Sequence, residues 1–176
     1  MRWFTDSARA DDGDQWESAV AAYADHVRGI AAKLPRDLAM LSSDPRLDLK
    51  DGRFREVIVD RAAETVVMTI DCGDLQHGYR RLTLHFLGAT VVPDNLALLA
   101  DAIGAEFRSN HWHSRTSSEV RAQEVDLVAD GRYALRLRLW PFHEFAVECS
   151  DFRLEETQLE ERGSARAGTF SARPEV

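Results

Sequence analysis

Cysteine is scarce in this sequence, with only Cys72 and Cys149 among 176 residues. Two thiols cannot build the dense disulfide framework of a small secreted domain, so a reducing compartment is expected. Long apolar runs are missing as well. No stretch approaches the ~18 consecutive apolar residues of a membrane span. The opening Met1-Arg2-Trp3-Phe4-Thr5-Asp6 lacks the apolar core of a secretory leader. These absences predict a cytoplasmic chain with no membrane partner. Positive charge is also in deficit, with 22 Lys and Arg against 30 Asp and Glu and a formal net charge of -8. Affinity for phosphate backbones rests on positive charge, so nucleic acid is not the expected partner. An acidic surface suits a basic protein partner, and it also favours solubility.

Catalytic signatures are absent too. The chain contains no GxSxG, HExxH, paired CxxC or GxxxxGK pattern, and no strand-to-helix GxGxxG. No cofactor is expected.

What is present describes an ordinary folding unit. The chain is 44% hydrophobic and 30% charged, which is the composition of a globular protein and not of a disordered one. Apolar residues recur at helical steps through Trp16, Val20, Tyr23, Val27, Ile30 and Leu34, predicting a helix over Asp14 to Leu34. Asp12, Gly13 and Asp14 stand before it as cap-type residues, and Pro35 ends it. A short helix follows over Asp37 to Leu41. A further one is expected after Asp94, through Leu96, Leu99, Ile103 and Phe107.

From Phe54 the period shortens to two. Val57 and Val59 predict one strand, Asp60 to Glu64 a turn, and Val66, Met68, Ile70 and Cys72 a second strand. The Gly73 to Gly78 loop leads to a third strand with Leu82, Leu84 and Phe86 inward, closed by Gly88 and Pro93. Between Glu119 and Leu154 the alternation is strongest. Tyr133, Leu135, Leu137 and Leu139 take one side of a strand, while Arg132, Ala134, Arg136 and Arg138 take the other. Val120 and Ala122 differ in parity from Val125 and Leu127, which places a bulge near Gln123 and Glu124. Asp130-Gly131 suits a tight hairpin turn. Trp140-Pro141-Phe142-His143-Glu144 forms the next turn, and Phe145, Val147 and Cys149 line a final inward face.

The expected fold is therefore a single α+β domain over residues 1–154. About six mainly antiparallel strands would form one sheet with two helices packed on one face. Residues 155–176, polar and with glycines at 163 and 168, are expected to be a disordered tail.

Three groups of residues invite a function. His111 and His113 flank Trp112, and two imidazoles at this spacing could begin a metal site, although a full site needs three or four ligands. Cys72, Asp74 and His77 bring a thiol, a carboxylate and an imidazole together at a strand end. With a suitable geometry they would serve a thiol-dependent enzyme. The alternation, however, turns Cys72 inward with Met68 and Ile70, as a small buried apolar residue. The third group is Arg132, Arg136 and Arg138 with Trp140, Phe142, His143 and Glu144. They form the charged sheet face and the adjoining turn, and are read as the binding surface. Carboxylates on adjacent strands, Glu124, Asp126, Glu144 and Glu148, could instead pair with these arginines across the sheet.

The segments Met1-Arg2-Trp3-Phe4-Thr5-Asp6-Ser7, Cys72-Gly73-Asp74-Leu75-Gln76 with Gly78-Tyr79, and Trp140-Pro141-Phe142-His143-Glu144 resemble those of an uncharacterised bacterial family, a domain of unknown function. The likeness extends to about Leu154. The strand Leu82-Thr83-Leu84-His85-Phe86 before a glycine, and the later Phe145-Ala146-Val147-Glu148-Cys149, are similar to immunity proteins of bacterial polymorphic-toxin systems. That resemblance implies a non-enzymatic role in which an acidic surface neutralises a toxin, and it implies no catalytic residues. The expected function is a protein-binding module of this immunity type. The alternative is a small metal-dependent or thiol-dependent enzyme using the segments 72–77 and 111–113. Self-association through a sheet edge to a homo-oligomer is a third reading.

Overall fold

The computed structural model describes residues 1–5, 13–92, 96–103, 119–128, 131–139, 143–161 and 169–173. Its described residues form three α-helices and nine strands. Helix α1 runs Asp14–Ile30 and continues as a 3-10 turn over Ala31–Lys33. Leu34 then adopts an extended backbone ahead of Pro35, as the proline requires. Helix α2 covers Arg36–Ser43 and buries Leu38 and Leu41. Asp44 opens a second 3-10 turn, Pro45–Leu47, by accepting a hydrogen bond from the Arg46 backbone N–H. Helix α3, Leu96–Ile103, lies within the range its apolar spacing predicts. Asp94 and Phe107, the expected ends of that helix, fall outside the described residues.

The strands are β1 Arg53–Asp60, β2 Thr65–Asp74, β3 Gly78–Leu87, β4 Thr90–Val92, β5 Val120–Leu127, β6 Tyr133–Leu139, β7 His143–Cys149, β8 Asp151–Leu159 and β9 Thr169–Arg173. They make two sheets, ordered β8-β3-β2-β1-β9 and β4-β7-β6-β5. Pairing is antiparallel except between β1 and β9. The α+β class and the antiparallel pairing are as the alternation predicts. The strands number nine in two sheets, where about six in one sheet were expected.

A bent ribbon joins the two sheets. β3 pairs with β8 in the first sheet, and their continuations β4 and β7 pair in the second. At the bend the Leu87 carbonyl accepts from both the backbone N–H of Ser150, at 2.9 Å, and its hydroxyl, at 3.1 Å. Gly88 turns here with φ +56, and a Cβ at this position would lie 2.3 Å from Ser150 Oγ. A side chain here would have to displace the Ser150 hydroxyl on a left-handed backbone that favours glycine.

The inward faces of both sheets meet in one core. Phe54, Met68, Ile70, Leu82, Leu84 and Phe86 come from the first sheet, and Val125, Leu135, Leu137, Leu139 and Val147 from the second, each at most 1% exposed. The Phe54 and Phe145 rings meet across the sandwich at 6.3 Å between centroids. Burying each such side chain stabilises the fold by about 1.5–3 kcal/mol relative to leaving it exposed. Leu38, Leu41 and Ile103 bring the helices into the same core.

Two expectations need correction. The bulge lies between Val120 and Ala122, which makes Arg121 the extra residue, slightly before Gln123 and Glu124. Residues 155–159 of the supposed tail extend β8 along β3, and Thr169–Arg173 pairs with β1. Both are outer strands whose side chains are mostly exposed. They are held by backbone hydrogen bonds, so no apolar alternation marks them.

Candidate functional site

The arginine face of β6 is largely covered, with Arg138 buried and Arg136 half-buried. The first residues of the chain lie across it, and the carboxylate of Glu124, 0% exposed, gathers their backbone. Glu124 Oε2 accepts from Arg2 N–H at 2.7 Å, and Oε1 accepts from Trp3 and Phe4 N–H at 2.8 Å each. Arg138, 3% exposed, donates from Nη1 to the Phe4 carbonyl at 3.3 Å and lies 3.7 Å from Glu144. Glu144 itself is 2.7 Å from the Met1 amino nitrogen. Arg136 donates to Asp126 at 2.9 Å, and Arg132 donates to the carbonyls of Gly88 and Glu148 at 2.9 and 3.2 Å.

These arginines and Glu144 hold the strap and the strands together, which corrects the reading of a wet binding face. Buried ions persist where they are hydrogen-bonded, and the buried Glu124 and Arg138 are each bonded to the backbone of the strap. Trp140 and Phe142 lie outside the described residues, as does the side chain of His143.

Aromatic packing completes the strap. Trp3 stacks obliquely on His26 with 4.3 Å between ring centroids, and Phe4 sits 5.1 Å from both Trp16 and Tyr23. The Tyr23 hydroxyl accepts from Val125 N–H at 2.7 Å, tying α1 to the edge of β5. Burial pushes the Tyr23 phenol up to about 12, so it stays protonated. The pair Trp3-Phe4 could have announced the strap, since two adjacent aromatics near a chain start seldom face water.

The Cys72 to His77 segment divides in two. Cys72 packs in the core at 5% exposure, and burial pushes its thiol up to about 12 despite the nearby Arg80 cation. Asp74 caps the hairpin turn. Its Oδ1 accepts from Gln76 N–H at 2.8 Å and His77 N–H at 2.7 Å, and His77 Nδ1 stands 3.1 Å away. The His77 contacts hold the Asp74 carboxyl below its usual value. Thiol and imidazole therefore serve different places, one the core and the other a surface turn. A thiol at such a value is nearly all protonated near neutral pH and is a poor nucleophile. His111 and His113 lie outside the described residues, and among those described no cluster of three metal-ligating side chains occurs.

The same hairpin forms one wall of a cleft of about 570 Å³. Asp74, Leu75, His77 and Tyr79 line this wall, and Asp48, Lys50 and Asp51 line the other. Gly73 allows the close turn. With φ +103, it would place a Cβ 2.1 Å from the Gly78 carbonyl oxygen, so any side chain would force the strands apart. Leu75 stands 90% exposed at the hairpin tip. On the far wall Asp51 adopts φ +60 and lies 3.2 Å from Arg121. Nearby Glu119 is raised above the usual carboxylate value, chiefly by burial.

Asp48, Asp51 and Asp74 line the cleft with Lys50 and the exposed Leu75; their remaining carboxylate acceptor sites can meet guanidinium or ammonium groups while Leu75 is covered. Sequence spacing did not show this gathering. Asp48 and Asp51 follow the 3-10 turn, whereas Asp74 ends β2.

A second cavity of about 300 Å³ adjoins it, sharing Pro45 and Asp48 and walled by Phe4, Trp16 and Tyr23. Comparison of the chain with protein-family models, with curated proteins and with solved structures finds no match in any of the three.

Proposed function

We propose that this protein is a non-enzymatic binding module for a basic protein partner, docked at the acidic cleft beside the β2–β3 hairpin. The observation that carries the reading is that Asp48, Asp51 and Asp74 line one cleft together with the exposed Leu75. Such a surface sets charged walls beside one exposed apolar side chain, so a cationic partner that covers Leu75 would gain both electrostatic complementarity and buried apolar area. A net charge of -8 adds long-range attraction for a cationic partner and speeds encounter. The likeness to immunity proteins of polymorphic-toxin systems supports a toxin as that partner. The cytoplasm suits the role, since both free thiols are buried and unbridged.

A titration with a short Lys- and Arg-rich peptide, followed by NMR of the labelled full chain, tests the docking place. Shifts concentrated at residues 48–51 and 73–79, and suppressed by half-molar salt, are expected. Shifts scattered over the whole acidic surface, or none, would contradict the reading.

A further inference from the structure

The outer strands of the two sheets are β8 and β9 in one, β4 and β5 in the other. Three of them are covered or short. The Tyr23 hydroxyl of α1 accepts the Val125 N–H on the open side of β5, α3 packs against β9, and β4 has only three residues. β8 is different. It pairs with β3 without a register shift over Asp151–Leu159 and contains no proline, so neither a bulge nor a missing donor blunts its edge. In an antiparallel ladder the backbone groups of alternate residues point away from the partner strand. In the first half of β8 these outward donors are met within the chain, Phe152 N–H by Asp151 Oδ1 at 2.8 Å and Leu154 N–H by Asp37 Oδ2 of α2 at 3.0 Å. The same alternation turns N–H and C=O of Glu156 and Gln158 outwards. Both residues are exposed, and among the described residues no group meets their outward backbone.

Charge decides what can pair there. From 155 to 161 the chain carries Glu155, Glu156, Glu160 and Glu161, all exposed, and no cation. Glu156 accepts from Arg80 at 2.9 Å, and Glu155 lies 3.3 Å from His85. A second copy pairing antiparallel through the outward groups of Glu156 and Gln158 would set Glu156 against its own copy or against Glu160. The remaining register, centred on Thr157, avoids both but still crowds four carboxylates from each copy on neighbouring strands, which is unfavourable. We propose that the free half of β8 takes up an extended cationic segment of a partner protein, which adds to the sheet as a further strand. Its backbone would bond to Glu156 and Gln158. Neighbours in sequence, Glu155 and Glu156 lie on opposite faces of the strand, so a pair of adjacent Lys or Arg residues in the incoming segment would meet one carboxylate on each face. This edge is separate from the hairpin cleft and does not depend on its occupancy.

The test is amide hydrogen exchange of the full chain, read by NMR, with the peptide Thr-Val-Lys-Arg-Thr-Val-Thr. Its β-branched residues favour the extended form. The control is the same peptide with every internal backbone nitrogen methylated, which keeps the charge and removes the donors. Saturating peptide is expected to slow exchange at Glu156 and Gln158 about tenfold or more, and the methylated peptide to slow neither. Gln158→Pro, which removes an outward donor and no bond to β3, is expected to abolish binding. The Asp48→Asn, Asp51→Asn, Asp74→Asn triple variant is expected to protect the same two amides as the wild type does. No slowing at either amide would overturn the proposal. Equal slowing by the methylated peptide would reduce the effect to charge attraction, and loss of protection in the triple variant would move the peptide to the cleft; either overturns it. Protection that grows with protein concentration in the absence of peptide would assign the edge to a second copy, and overturns it as well.

Discussion

Phe4 N–H donates to Glu124 Oε1 at 2.8 Å across 120 residues of sequence. Two more backbone donors, from Arg2 and Trp3, meet the same carboxylate, so one side chain holds three successive N–H groups of the strap. Removing it would leave three backbone donors short of an acceptor in a largely buried place. Glu124→Ala is expected to lower unfolding stability by about 3 kcal/mol, with a smaller loss for Glu124→Gln. Urea unfolding at neutral pH measures both, and an unchanged midpoint for Glu124→Ala would show that the strap is not held this way.

Asp71 is an acid-sensitive point inside the first sheet. Burial alone would raise its carboxyl, but hydrogen bonds from Arg81 at 2.7 Å and Arg55 at 2.5 Å outweigh it and hold the group below the usual carboxylate value. A depressed folded value means that the group stabilises the protein above an unfolded value of about 3.9, and that this contribution is lost as pH falls below it. Asp71→Asn is therefore expected to be less stable at neutral pH and to lose less further stability below about pH 4. Parallel acid titrations of the two proteins would contradict the assignment.

Both thiols should be inert in the folded protein. Cys72 and Cys149 are 5% and 1% exposed, and burial pushes each up to about 12. A thiol reagent at pH 8 is expected to label neither within minutes, and both once denaturant is added. Fast labelling of Cys72 in the native state would revive the thiol-enzyme alternative.

Gly73→Ala should open the hairpin that carries Asp74 and Leu75. The new methyl would meet the Gly78 carbonyl at 2.1 Å on a backbone with φ +103. A loss of about 2–3 kcal/mol is expected from the combined strain. Thermal unfolding measures it, and wild-type stability would mean that the hairpin relaxes without cost.

Much of the fold was readable because one side of each core strand is apolar at a period of two. Tyr133 to Leu139 is the clearest case. The same alternation misled about the other side. Ala134 is 0% and Arg138 3% exposed, so charge on a strand face did not mean water. Arg138 is buried because Phe4 and Glu144 meet it there, and no local spacing carries the Phe4 contact. Residues 155–159 failed for the opposite reason, since an outer strand exposed on both faces needs no alternation. The cleft was half legible. The hairpin segment 72–77 stood out, but its thiol turned inward, and its acidic partners Asp48 and Asp51 arrive from a different loop. A site assembled by tertiary packing leaves no trace in the spacing of either segment.

The most direct test of the central claim is affinity capture from native cells under mild conditions, with wild-type protein beside the Asp48→Asn, Asp51→Asn, Asp74→Asn triple variant. The account predicts that the wild type retains one defined basic protein, released by high salt, and that the triple variant, still folded, does not. Equal capture by both, or a wild type that retains nothing through repeated trials, would contradict it.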